Sequence, residues 1–174
     1  MNTHRKNFEA WYVDVLKSMY PYQDAGFAIL MITFPLLERY LRQKTGLSPQ
    51  GRLNEKFYCE LMKVFMEIPD HQTAQKFWQV FRNGILHEVT MPNQNRSGEQ
   101  MPIGLLSYEK PEISIDADGR FWINPRLFSA HVVQIIEEDF PVFEGEENSP
   151  SRLPKVKEIS SNEGPTVLGT SAER

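Results

Sequence analysis

The sequence predicts a mainly α protein, an antiparallel helical bundle of about five helices with a small β-hairpin insertion before the last helix. Apolar residues recur at spacings of three and four through most of the first 90 positions, which is typical of helices with one buried face. After Met91-Pro92 this pattern gives way to short strand-like runs around an Asp-Gly turn. A length of 174 residues with 40% hydrophobic residues suits one ordinary globular domain.

Four helices are predicted before the change of pattern, separated by Pro21, Gly46 and Pro69. Their ranges are 7–20, 23–44, 52–68 and 70–89, and the spacing in the first places Trp11 and Val15 on its buried face. The second helix has the most hydrophobic interior, and Pro35 inside it removes one backbone hydrogen bond, so we expect a kink or split near Ile32. Asp70 is a good N-cap for the fourth helix.

The second half is predicted to contain a polar loop, a small β region and one more helix. The loop covers 93–100, a short strand 103–108, and a hairpin pairs 112–115 with 120–124 around the turn 116–119. Pro125 opens the last helix, which runs to about Phe140. The domain therefore spans 1–143, with 103–124 as the insertion, and 144–174 is predicted to be a flexible tail.

Composition narrows the class of protein. A formal net charge of -4 disfavours coating of duplex DNA, although a local basic site can still grip phosphates. A single cysteine, Cys59, excludes an intrachain disulfide and favours the cytoplasm, and its position in an apolar helix predicts a small core residue. The most apolar run, 25–37, is too short to span a bilayer, so no membrane association is predicted.

No metal or cofactor site is predicted. The four histidines lack metal-ligand spacing, and the chain carries no Gly-rich phosphate loop, CxxC pair or HExxH sequence. The turn 116–119 resembles the start of a calcium loop, but Leu127 stands where the bidentate Glu would be needed.

One group of residues has side chains suited to catalysis. It is the run Arg82-Asn83-Gly84-Ile85-Leu86-His87 in the fourth predicted helix. On an α-helical wheel Asn83 and His87 are neighbours, Arg82 lies about 140° from His87, and all three lie away from the apolar face. Gly84 leaves the surface between them bare. Arginine offers a fork to phosphate oxygens and histidine moves protons near neutral pH, so RNA cleavage through the 2′-hydroxyl would need no metal. The alternative is that Arg82 and His87 are simply solvated on an exposed helix.

These six residues resemble the Arg-polar-x-x-x-His motif of the HEPN superfamily, the higher-eukaryote and prokaryote nucleotide-binding domains. The resemblance covers about 7–143 in helix order and is specific at the motif. It implies a helical bundle acting as a metal-independent endoribonuclease, often a toxin of a toxin-antitoxin pair or an antiviral effector. Carried over, Arg82 binds the scissile phosphate, His87 is the general acid-base, and Asn83 orients it. It also implies a homodimer through the fourth helix, with two motifs meeting near Gly84.

Two features depart from the family pattern. Some family toxins carry a tyrosine two residues after the histidine, and here that position is Val89. The 103–124 insertion is absent from the minimal bundle and is predicted to be a lid, a dimer element or a partner surface. A non-catalytic HEPN-like module that binds a nucleotide, RNA or a protein partner therefore stays open, as does a purely helical interaction domain.

Arg39 and Arg42 are the predicted substrate-binding residues. With Lys44, Arg52 and Lys56 they form a candidate basic rim for an RNA backbone. The alternative is that Arg42 pairs with Glu38 four residues earlier on a solvated helix surface. His131 is predicted to be a packing or capping residue, and one of the adjacent Phe121 and Trp122 must be exposed or meet a partner.

Overall fold

The computed structural model describes residues 3–88 and 101–145, with the backbone alone described for Thr3 and for 85–88. The fold is mainly α, as predicted. The predicted loop 93–100 lies outside the described residues, as does the predicted tail from residue 146 onward.

The helices follow in chain order. The first runs as α1 (Thr3–Phe8), a π-helical segment (Glu9–Val13) and α2 (Asp14–Met19), and a 3-10 turn (Gln23–Ala25) then leads into α3 (Gly26–Thr45). The next elements are α4 (Glu55–Val64), α5 (His71–Trp78) and the π-helix Gln79–Glu88. The last two helices among the described residues are α6 (Pro125–Glu138) and α7 (Phe140–Glu144).

Helix α3 is the central element. It packs against α4, α6, α7 and the π-helix Gln79–Glu88. Phe34 in its middle lies 5.0–6.5 Å, between ring centroids, from the rings of Phe77, Trp78, Phe81 and Phe128. The aromatic core therefore sits where α3, the α5–π-helix segment and α6 meet.

Of the kink or split predicted near Ile32, the split is wrong, because α3 is continuous through Pro35, and the kink stays a prediction. Packing on four neighbouring elements outweighs the one backbone hydrogen bond that proline removes. Two predicted helix boundaries hold. Gly46 ends α3 in the left-handed conformation at φ 69°, and Asp70 caps α5 through its Oδ1, which accepts from the Thr73 amide at 2.8 Å.

Three strands form the β region, β1 (Gly104–Leu106), β2 (Ile113–Ile115) and β3 (Phe121–Ile123). β3 lies in the centre, parallel to β1 and antiparallel to β2. The segment 103–124 is therefore a small sheet rather than a hairpin alone. Asn124 connects the sheet to α6, because its Oδ1 caps the helix while its Nδ2 donates to the Tyr108 and Lys110 carbonyls.

Three residues that are predicted to lie in the core are exposed, and the geometry of their helices explains why. Trp11 and Val15 were placed on the buried face of the first helix, but they are 46% and 39% exposed. The π-helical turn at Glu9–Val13 shifts the side-chain register, because its hydrogen bonds join residues five apart rather than four. Cys59 is exposed rather than buried, because the face that α4 turns to the core carries Phe57, Tyr58 and Leu61.

Candidate functional site

The predicted motif lies on the π-helix Gln79–Glu88, which continues directly from α5. Its hydrogen bonds join residues five apart, and this is the separation of Arg82 and His87. The α-helical wheel, which placed Arg82 about 140° from His87, is therefore wrong at the motif. The backbone positions of these two residues are successive along one face of a π-helix.

Arg82 is held by groups from two elements. Its Nε and Nη2 each lie 2.6 Å from Glu38 Oε2 on α3, and its Nη1 donates to Asn83 Oδ1 at 3.2 Å. The Arg82 side chain is 22% exposed and the Glu38 side chain 12%. A half-buried guanidinium fixed by a carboxylate and an amide is positioned before any ligand arrives.

Glu38 joins Arg82 to Arg42. Arg42 Nε donates to Glu38 Oε1 at 2.8 Å, so the two carboxylate oxygens serve two different arginines. We call Glu38, Arg42 and Arg82 the Glu38 cluster. Tyr58 lies close enough to Glu38 and Arg42 to feel both charges, and burial raises the pKa of Tyr58, with Glu38 adding to the rise. The Glu38–Arg42 pair thus forms, but it is buried rather than on a solvated surface.

Both predicted substrate-binding arginines also anchor backbone segments. Arg42 Nη1 donates to the carbonyls of Ser48 and Gly51 at 2.9 and 2.8 Å, which fixes the loop after α3. Arg39 donates from Nε and Nη2 to the carbonyls of Phe143 and Glu144, both at 3.0 Å. These carbonyls end α7, where backbone acceptors lack helical partners. Burial lowers the pKa of Arg39 below its usual value.

The three arginines share one cavity of about 240 Å³, which we call the arginine cavity. Its lining combines the Glu38 cluster and Arg39 with apolar and amide groups: Pro35, Glu38, Arg39, Arg42, Gln43, Leu47, Pro49 and Arg82. Three guanidinium groups against one carboxylate leave a formal charge of +2 in this lining. The cavity is therefore locally positive although the whole chain is net acidic.

The structure does not bring all the predicted site residues together. Lys44, Arg52 and Lys56 do not line the arginine cavity, and Lys44 instead donates to the Tyr40 hydroxyl at 2.8 Å. The side chain of His87 lies outside the described residues, as does Val89. Gly84 is buried within the protomer, so the prediction that it leaves a bare surface for a second copy is wrong.

Contacts within the chain explain the positions of Trp122 and His131. Phe121 is buried, whereas Trp122 Nε1 donates to Asp116 Oδ2 at 3.0 Å, so no partner is needed to account for it. This contact, together with the backbone amide and the side chain of Arg120, holds the pKa of Asp116 down to about 2. His131 packs on Phe65, and its Nδ1 lies 2.9 Å from Glu112 Oε1.

Sequence reasoning missed the role of Glu38, which appeared only as a partner of Arg42. A signal was present, because Glu38 follows directly on the most apolar run of the chain, and an acidic residue at such a place needs a cation. Residues 3–88 and 101–145 contain no group of three side chains suited to holding a metal ion. Within the same ranges, no helix combines the length and the apolar character needed to cross a membrane.

In comparisons with known proteins, no family model, curated protein or solved structure matches this chain. Any functional conclusion therefore depends on its own residues and their geometry.

Proposed function

We propose that this protein is a metal-independent endoribonuclease of HEPN type. The observation that carries the proposal is Arg82, which is fixed by Glu38 and Asn83 at the edge of a positively charged cavity. Its π-helix supports the proposal in a second way, because π-helical turns are rare and frequently occur at functional sites.

The proposed reaction uses the RNA's own 2′-hydroxyl as nucleophile. The 2′-oxygen bonds to phosphorus as the bond from phosphorus to the 5′-oxygen breaks, giving a 2′,3′-cyclic phosphate and a 5′-hydroxyl end. In this scheme Arg82 neutralises charge that builds up on the phosphate oxygens. His87 acts as the general acid-base, which accepts the proton of the 2′-hydroxyl and returns a proton to the departing 5′-oxygen. Asn83 orients the catalytic groups, and Arg39 and Arg42 bind substrate phosphate.

Glu38 acts in this scheme as a positioning residue. It keeps the Arg82 fork in one orientation, so that less entropy is lost when a phosphate binds. It also competes with phosphate for the same guanidinium, since both are anions that accept from Nε and Nη2. Replacement of Glu38 should therefore alter kcat and KM differently, rather than only lowering the amount of folded protein.

The assembly and biological context belong to the same proposal. A homodimer through the region of the π-helix would bring two copies of Arg82 and His87 together across a two-fold axis. Because Gly84 is buried, the contact would use side chains beside Arg82 and Asn83 rather than close backbone approach. A cytoplasmic toxin or antiviral effector, with a protein partner that controls it, fits such an activity.

One observation favours a second candidate, a HEPN-like RNA- or nucleotide-binding module without catalysis. The Nε, Nη1 and Nη2 atoms of Arg82 already donate to Glu38 and Asn83, and a side chain held in this way can bind phosphate without the change of contacts that a reaction would require. The same cavity would then hold phosphate without cleaving it.

Incubation with single-stranded RNA in EDTA separates the two candidates. An endoribonuclease cleaves under these conditions, and His87→Ala abolishes cleavage while RNA binding remains. Gln79→Ala, an exposed residue at the start of the same π-helix, is the matched control and should cleave like the wild type. RNA binding without cleavage in the wild type would support the binding module, and cleavage that survives in His87→Ala would overturn the proposed mechanism.

A further inference from the structure

Arg39 and Arg42 retain donors that their structural contacts do not use. Arg39 uses Nε and Nη2 on the end of α7, and Arg42 uses Nε and Nη1 on Glu38 and the loop after α3. This leaves Arg39 Nη1 and Arg42 Nη2 without an acceptor among residues 3–88 and 101–145. Guanidinium groups carry five N–H donors, and neither of these two nitrogens is among the buried side-chain atoms of the described residues that lack a partner, so both reach solvent, where an anion can replace water.

The two arginines are three residues apart on α3, so they lie on one face of the helix and border the same cavity. Their other donors are tied to backbone carbonyls at 2.8–3.0 Å, which holds both guanidinium groups in place. Pro35, Leu47 and Pro49 supply apolar walls, and apolar walls strengthen the attraction between a cation and an anion. The result is a pre-positioned pair of guanidinium groups that border one solvent-open cavity, each with one nitrogen still able to donate.

The size of the cavity suits a small charged group. About 240 Å³ is some eight times the volume of a water molecule, and it lies below the roughly 300–1,000 Å³ of sites for drug-sized ligands. A compact tetrahedral anion with a few waters fits this volume, and because the cavity is open to solvent, the rest of a larger molecule can extend beyond it. The formal charge of +2 in the lining matches an oxyanion that carries one or two negative charges.

We propose that the arginine cavity is a phosphate-binding site in which Arg39 Nη1 and Arg42 Nη2 donate to the phosphate oxygens. The natural source of that phosphate is RNA, either a backbone phosphate or a terminal phosphate, and this part rests on the function proposed above. The phosphate site itself is independent of cleavage and can be tested with the full chain and no RNA.

Isothermal titration of the full chain with inorganic phosphate, in EDTA and low salt, is the primary experiment. We expect saturable binding that weakens at least tenfold in Arg39→Gln and Arg42→Gln. Lys17→Gln is the matched control, because Lys17 on α2 is an exposed cation outside the cavity lining, and it should leave the affinity unchanged. No saturable binding to the wild type, or equal weakening by Lys17→Gln, would overturn the proposal.

A second pair of variants avoids the anchoring role of the arginines. Pro49 is exposed at the cavity wall in the turn closed by the Gly51 amide and the Ser48 carbonyl, where other residues fit. Pro49→Glu adds a carboxylate beside the anion and should weaken phosphate binding at least tenfold, whereas Pro49→Gln should leave it within twofold. Equal affinities for the two variants would contradict a site at this position.

Oligodeoxynucleotides with and without a 5′-phosphate distinguish the two sources, since they lack the 2′-hydroxyl and stay intact. Tighter binding of the phosphorylated form assigns the cavity to a terminal phosphate, and equal binding of both assigns it to the backbone. Failure of the two proposals is also distinguishable. Phosphate binding without RNA cleavage would overturn the proposed endoribonuclease activity and support the phosphate site. His87-dependent cleavage without phosphate binding would support the activity and overturn the phosphate site.

Discussion

Two acidic residues, Glu38 and Glu112, each connect separate elements of the fold, and they differ in their partners. Glu38 on α3 accepts from Arg42 and Arg82 and is 12% exposed, whereas Glu112 beside β2 contacts His131 of α6 and is 19% exposed. Guanidinium groups stay charged throughout the pH range of proteins, but an imidazole changes charge near neutrality.

The pKa of Glu112 reflects this difference. Burial raises the pKa of Glu112, His131 opposes the rise, and the charge of Glu67 adds to it. A carboxyl with one titratable partner can escape the cost of burial by taking up a proton. We infer that the Glu38 cluster is a fixed structural element of the arginine cavity, whereas the Glu112–His131 contact is one that pH can weaken.

The largest expected effect is that of Glu38→Ala on stability. It leaves Arg42 and Arg82, which are 13% and 22% exposed, facing each other without their shared carboxylate. Removal of one partner from a buried ion pair costs about 3–5 kcal/mol, and we expect that loss in the free energy of unfolding. Urea denaturation at pH 7, followed by tryptophan fluorescence, measures it.

Glu60→Ala is the matched control for this variant. Glu60 pairs with Lys63, whose side chain is 69% exposed, and exposed pairs contribute only about 0–1 kcal/mol. Equal losses for Glu38→Ala and Glu60→Ala would show that the Glu38 cluster does not stabilise the fold more than an ordinary surface pair.

His131→Ala is expected to have the next largest effect, and one that depends on pH. At pH 7 it removes the partner of a partly buried carboxylate and should cost roughly 1–3 kcal/mol. At pH 4.5 the loss should be smaller, because the pKa of Glu112 rises further without His131 and the carboxyl is then protonated. Unfolding experiments at the two pH values test this, with His131→Gln, which keeps an N–H donor, as the control. A loss that is the same at both pH values would point to the contact with Phe65 alone.

The sequence predicts the positions of the helices and strands well, but it does not predict the contacts between them. The ends marked by Gly46 and Asp70 were predictable because a left-handed glycine and an N-cap act locally. The π-helical turns were not predictable from apolar spacing, since that reading assumes 100° per residue throughout. This one assumption misplaced Trp11 and Val15.

The site shows the same limit. The motif can be recognised in the sequence from its residue types. The contact between Arg82 and Glu38, however, joins positions 44 apart in sequence, and the contact between Glu112 and His131 joins positions 19 apart. Neither pairing follows from local periodicity, because each depends on how helices pack. The sequence identifies Arg39 and Arg42 as candidate cations for binding phosphate. Only the structure shows that both donate to backbone carbonyls, and that one Nη of each then has no acceptor among the described residues.

Glu112→Gln should remove a pH dependence that the wild type has. The pKa of Glu112 is raised in the folded state, so the folded protein binds more protons than the unfolded chain between the ordinary value of 4.5 and the raised one. Wild-type stability therefore falls as pH rises through this window, and the glutamine variant should lack that fall. Unfolding free energies collected from pH 4 to 7 test the sign, and a wild type that gains stability relative to the variant over this range would contradict it.

The smallest expected effect on folding, and the most selective on binding, is that of Asn83→Asp. Asn83 Oδ1 accepts from Arg82 Nη1 at 3.2 Å, and aspartate keeps the size and the acceptor, so the free energy of unfolding should change by less than about 1 kcal/mol. The added negative charge lies beside Arg82 and should lower RNA affinity roughly threefold to tenfold at low salt. Asn83→Ala removes the acceptor without adding charge and should bind RNA nearly as well as the wild type.

Because ion screening weakens the added repulsion, the difference in RNA affinity between Asn83→Asp and Asn83→Ala should shrink as the salt concentration rises. Equal affinities for the two variants at low salt would show that RNA does not approach Arg82, which would place the binding surface away from the Glu38 cluster.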